Sequence, residues 1–95
     1  MPSSFDPTEM IERGRHLIPP YMWGGMSRYM VNRIPPGSFL QALLSNDLME
    51  AFARADDENS ACIHQYCQFL YNYAPCGSYG SPENVSAWLN PETES

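Results

Sequence analysis

The chain contains no lysine. Its five cationic residues are all arginine and face eleven acids, a formal net charge of −6 over 95 residues. A surface that grips phosphate backbones needs a surplus of cations, so general nucleic-acid binding is not expected. No run of 18 apolar residues occurs, so no membrane span is expected. Met1 to Pro7 has neither a basic n-region nor an apolar h-region, and no secretory leader is expected. Three cysteines are an odd number for a disulfide framework and fit reduced thiols in a cytosol. The chain is also too short for a multidomain enzyme, a transporter or most cofactor-binding α/β folds, and allows one compact domain. Leu, Ile, Val and Phe total only 17 residues, low enough to raise the question of disorder.

What is present answers that question. Six Met, six Tyr and two Trp supply large buriable surface, and each Trp or Tyr can bury roughly 150–250 Å². The composition describes a folded domain whose packing leans on aromatic and thioether groups. Charge is unevenly spread. Residues 1–45 hold Asp6, Glu9 and Glu12 against Arg13, Arg15, Arg28 and Arg33, a balance of +1. Residues 46–95 hold eight acids against Arg54 alone, a balance of −7. Such asymmetry marks either a solvated acidic surface or an acidic face selected by a partner.

Nine prolines divide the chain into short segments with helix-start signals. Asp6-Pro7-Thr8-Glu9 combines a capping carboxylate, a proline at N1 and a Glu at N3, and predicts a helix over about 7–17. Ile18-Pro19-Pro20 ends it and opens the next, about 20–33, where Met22, Met26, Tyr29 and Met30 share one face. Gly24-Gly25 inside that helix implies either a kink or a notch for another backbone. Ser38 is expected to cap a helix carrying Phe39, Leu40, Leu43 and Leu44. Asp47 caps the next, Leu48 to about Ala55, which is expected to bury Leu48, Met49 and Phe52. After Asp56-Asp57-Glu58 a helix runs to about Tyr73, and a last one from Pro82 carries Val85, Trp88 and Leu89. No stretch alternates as a strand does. The expected fold is all-α: a compact irregular bundle of five or six short helices in a single domain over 1–95, with residues 1–5 and 91–95 frayed.

Four chemistries can be weighed against these elements. Cys62, His64, Cys67 and Cys76 have the residue types of a zinc site. However, on a helix Cys62 lies about 200° from His64, and no C-x2-C knuckle is present, so no metal is expected. His16 and His64 fall on different helices, and His64 has no carboxylate at i±3 or i±4, so no catalytic residues are assigned and no enzyme is expected. Gly77-Ser78-Tyr79-Gly80-Ser81 before a helix has the outline of a phosphate cradle. Pro82 removes a backbone donor there and Glu83 places a negative charge where the anion would sit, so no cofactor is expected. Residues 38–55 form two short helices joined by a tight turn, but the second carries Asp47 and Glu50 with Arg54 as its only cation. That is a poor recognition helix.

Two candidate partner surfaces remain. Met22, Trp23, Met26, Tyr29 and Met30 make their helix apolar over a wide arc, which describes either a central element or one that docks on a partner or a second copy. Burial is the commoner fate of such residues. Asp47, Glu50, Asp56, Asp57 and Glu58 form the second candidate, an acidic set suited to a basic protein groove.

The run Ile34-Pro35-Pro36-Gly37-Ser38-Phe39-Leu40-Gln41-Ala42-Leu43-Leu44, followed by Asn46-Asp47-Leu48 and Ala55-Asp56, resembles a family of small phage and prophage proteins. Leu70-Tyr71-Asn72, Ala74-Pro75, Gly80-Ser81-Pro82-Glu83 and Ala87-Trp88-Leu89 are similar to the same family. The resemblance spans roughly residues 18–89 and carries over no site residues. It implies a phage origin and a place in the host cytoplasm. With the size, the charge and the lack of catalytic motifs, it leads to an expected role in stoichiometric protein binding, as in host takeover or anti-defence inhibition of the anti-CRISPR type. The alternatives are a homo-oligomeric accessory or structural module of the phage, acting through the Met22–Met30 helix, and a weak DNA-binding regulator using Arg28 and Arg33.

Overall fold

A computed structural model describes residues 7–90. The capping role of Asp6 and the fraying at 1–5 and 91–95 lie outside the described residues. Within them the fold is all-α, with seven helices: α1 (Pro7–Glu12), α2 (Pro20–Asn32), α3 (Ser38–Leu44), α4 (Leu48–Arg54), α5 (Asp57–Ala61), α6 (Ile63–Tyr73) and α7 (Pro82–Leu89). A single 3-10 turn, Arg15–Leu17, follows α1. The expected five or six helices become seven because the segment after Asp56 breaks at Cys62, which ends α5 and starts α6 with φ −103° and ψ 8°. The helix expected over 7–17 also stops at Glu12. Gly14 is buried beneath the rings of Tyr73 and Phe69, where an added Cβ would lie 2.9 Å from Phe69 Cδ1.

The helix ends follow local chemistry. The side chains of Asp47, Asp56 and Ser81 accept hydrogen bonds from the backbone N–H groups of Glu50, Asn59 and Asn84, closing the first turns of α4, α5 and α7. Gly37, rather than Ser38, occupies the cap position of α3, and no side chain caps that helix. Arg33 ends α2 in the left-handed region at φ 59°, and the Ile34 N–H donates to the Arg28 carbonyl. Asn46, at φ 66°, ends α3 in the same way, with the Asp47 N–H donating to Ala42.

α2 is central. Met26, Tyr29 and Met30 are fully buried, and Trp23 nearly so. Trp23 meets Phe69 of α6 edge-on at 5.9 Å, and Gly25 faces Leu40 of α3. The Trp88 indole N–H on α7 donates to the Tyr29 carbonyl at 3.0 Å. The helix is unbroken through Gly24-Gly25, and a Cβ on Gly25 would make only ordinary contact, 3.5 Å from Leu40 Cδ1. The glycine pair is thus neither a kink nor a notch for another backbone; a Cβ on Gly24 would meet only the guanidinium end of Arg28 on the same helix, at 3.1 Å.

Aromatic groups replace the missing aliphatics, and their polar atoms are satisfied inside the core as burial requires. The Tyr29 hydroxyl donates to the Ser78 carbonyl at 2.7 Å, and the Tyr66 hydroxyl to Asn59 Oδ1 at 2.6 Å. Burial pushes both phenols above their ordinary pKa. Arg33 stacks over the Trp88 ring at 3.8 Å and donates to the Trp88 carbonyl, tying the end of α2 to α7.

Candidate functional site

α4 packs chiefly on α3 and turns a small residue, Ala51, inward. At 100° per residue, with Ala51 as the inward direction, Leu48 and Phe52 lie about 60° and 100° to one side and Met49 about 160° round. Asp47, Arg54 and Glu50 lie about 40°, 60° and 100° to the other side. The helix therefore has an apolar flank and a charged flank. The expectation that Leu48, Met49 and Phe52 are buried is corrected: they are 40%, 85% and 52% exposed. Ala51 takes the inward position, which lets the two helix backbones approach.

The apolar flank borders a groove of about 460 Å³. Buried Leu43 and Leu70 form its floor, Leu48 and Asn46 stand on one side, and His64, Cys67, Gln68 and Tyr71 line the other. Those four residues recur at i, i+3, i+4 and i+7, a single stripe along the exposed side of α6. Tyr71 is 82% exposed. No Asp, Glu or Arg lines the groove.

The residues singled out in the sequence fall elsewhere. Trp23, Met26, Tyr29 and Met30 are core, so the reading of these four as partner contacts is corrected: their surfaces are already covered by α3, α6, α7 and the 75–81 loop. Met22 is half-buried beside a shallow recess shared with Tyr21, Arg28 and Phe39. The acids are largely engaged in local structure. Asp47 caps α4, and Glu50 pairs with Arg54 at 2.5 Å. Asp56 accepts from the Asn59 N–H at 2.7 Å and the Tyr21 hydroxyl at 2.9 Å. These two bonds hold its carboxyl below the usual range. The Tyr21 phenol is pushed up to about 12 by desolvation and then by the Asp56 carboxylate. Asp57 and Glu58 stand exposed in the first turn of α5.

The remaining motifs also resolve. His64 and Cys67 share the groove, Cys62 is half-buried, and Cys76 is exposed. Among the described residues no three His, Cys, Asp or Glu side chains group as a metal site would need. In the Gly77–Ser81 loop several polar groups are bonded within the protein. The Ser78 hydroxyl donates to Pro75, the Gly80 N–H donates to Leu44, and the Ser81 hydroxyl caps α7. α3 and α4 do form a tight helix pair, but the outward face of α4 presents Leu48, Met49 and Phe52 in place of cations.

The α4–α6 face is the feature that sequence reasoning missed. Leu48, Met49, Ala51 and Phe52 span about 160° of a seven-residue helix, more than the roughly 100° stripe of a helix packed on one side, and that width was the available signal. No described helix is long and apolar enough to cross a membrane. Compared with protein-family models, curated proteins and solved structures, the chain matches none.

Proposed function

We propose that this chain acts by stoichiometric binding to another protein rather than by catalysis, with the α4–α6 face as its docking surface. One observation carries the reading: Leu48 and Tyr71 stand exposed along a single apolar groove, and the exposed Phe52 and Met49 continue that apolar surface from Leu48 on the same flank of α4. Isolated exposed apolar residues are ordinary, but a contiguous set around a recess marks an interaction site. The acidic set contributes less than its composition implies, because Asp47, Glu50 and Asp56 each serve a local bond.

In its finer form the proposal follows the resemblance to small phage and prophage proteins: a host-takeover or anti-defence protein that blocks a host factor in the host cytoplasm. The test is affinity capture of the tagged chain from lysate of the host bacterium, read by mass spectrometry. The expected result is one dominant stoichiometric partner, lost with Phe52→Asp and retained with Asp57→Asn or Glu58→Gln. Elution of the bait alone, or a partner indifferent to Phe52→Asp, refutes it.

A further inference from the structure

We infer that Ile34–Gly37 is a second docking element, a pre-formed polyproline II segment that fits an aromatic-lined groove on a partner protein. It lies apart from the α4–α6 face and does not depend on the reading of that face. Ile34-Pro35-Pro36-Gly37 joins α2 to α3 and carries no helix. Each proline ring fixes its own φ at about −65°, and each proline bars the residue before it from the helical region. Ile34 and Pro35 are therefore held extended, and Gly37 continues the line at φ −68° and ψ 175°. Such a backbone has about three residues per turn. The burial pattern keeps that period: Ile34, Pro35 and Gly37 are exposed, and Pro36 between them is half-buried.

Ile34-Pro35-Pro36 offers acceptors and no free donor. Neither proline has an N–H, and the Ile34 N–H is already bonded to the Arg28 carbonyl at 3.3 Å. Among the described residues nothing donates to the carbonyls of Ile34, Pro35 or Pro36. A strand edge could not pair with this segment, since a ladder needs donors from both sides. Indole and phenol groups fit it, because they donate to bare carbonyls while their rings pack on the side chains. Ile34, a large apolar residue left 45% exposed, supplies such a side chain beside the Pro35 ring.

Both ends of the segment are anchored, so little freedom remains to be lost on binding. The Ile34 N–H bond closes the left-handed end of α2, and the Gly37 carbonyl accepts from the Gln41 N–H at 2.9 Å. Charge places a second requirement on the partner. Arg28 is exposed, shares a recess with Gly37 and Ser38, and has no carboxylate partner among the described residues. Arg33, the other cation nearby, is held on Trp88, and Asp56 is bonded to the Tyr21 hydroxyl at the same recess. The partner therefore carries a carboxylate beside its aromatic groove, placed to meet Arg28.

The probes are purified SH3 and WW domains with acidic residues beside their aromatic grooves. Each is titrated to about 1 mM against the isotope-labelled full chain and followed by NMR, because one Ile-Pro unit fills a single pocket and binds weakly. At least one domain should shift the Ile34 methyl, Gly37 amide and Arg28 guanidinium signals together. Ile34→Ala and Pro35→Ala should each weaken that binding by about fivefold or more with unchanged circular dichroism, whereas Tyr71→Asp leaves it intact. Arg28→Gln should weaken it and flatten its dependence on salt. No shift at Ile34 and Gly37 with any domain overturns the inference, as does binding indifferent to both Ile34→Ala and Pro35→Ala. Shifts confined to Leu48, Phe52 and Tyr71 place the probe on the α4–α6 face and also overturn it. Binding lost with Ile34→Ala but untouched by Arg28→Gln upholds the segment and overturns the carboxylate requirement.

Discussion

Two phenylalanines in the same fold should respond oppositely to truncation. Phe69 is fully buried and meets Trp23 edge-on at 5.9 Å. Phe69→Ala removes that ring and leaves a cavity, at a cost of about 3–5 kcal/mol. A chain of this length has a total stability of roughly 5–14 kcal/mol at about 0.05–0.15 kcal/mol per residue, so the loss is a large share of the whole. Phe52 is 52% exposed. Full burial of such a side chain stabilises by about 1.5–3 kcal/mol, so only about half of that is at stake. The better helix propensity of Ala offsets up to about 0.5 kcal/mol of it. The net cost of Phe52→Ala is therefore about 0.5–1 kcal/mol. Urea denaturation of dilute protein, followed by far-UV circular dichroism, separates the two. With an m-value of about 1–2 kcal/mol/M, Phe69→Ala lowers the midpoint by about 2 M or more and Phe52→Ala by about 0.5 M. Equal losses would refute the outward placement of Phe52.

Gly25→Ala should raise the melting temperature by several degrees, since the new methyl fits against Leu40 and the helix gains about 0.5–1 kcal/mol. Gly14→Ala should lower it, because the methyl drives into Tyr73 and Phe69 at a cost of about 1–3 kcal/mol; both are read by thermal denaturation. Tyr66→Phe leaves Asn59 Oδ1 buried without its donor and should cost about 1–3 kcal/mol in the same assay. Asp56, whose folded pKa is depressed, contributes stability that is present above the unfolded aspartate value of about 3.9 and is lost as pH falls through the lower folded value. Tyr21→Phe should raise the Asp56 pKa toward the unfolded value, read by carboxyl NMR titration; an unchanged Asp56 titration would refute that bond.

Much of the fold was legible because proline and capping residues act locally. Pro20 and Pro82 open α2 and α7, and Asp47 and Ser81 cap where their spacing predicts. The break at Cys62 was not legible, since no proline or glycine marks it; across it the buried Asn59 accepts a hydrogen bond from the Tyr66 hydroxyl. The apolar arc of Met22 to Met30 left core and interface open, and tertiary packing decided it by surrounding α2 with α3, α6 and α7. α4 misled for a related reason. Large apolar residues are ordinarily taken as the inner ones, yet close packing on α3 selected Ala51 and left its larger neighbours outside.

Methionine oxidation, mapped by mass spectrometry with and without the captured target, tests the docking face most directly. Met49 is 85% exposed, whereas Met26 and Met30 are fully buried. In dilute protein Met49 should oxidise rapidly while Met26 and Met30 are protected. Its rate should fall when the captured target binds. A Met49 as protected as Met26 in the free protein would contradict an exposed docking face, and a rate indifferent to the target would contradict its use.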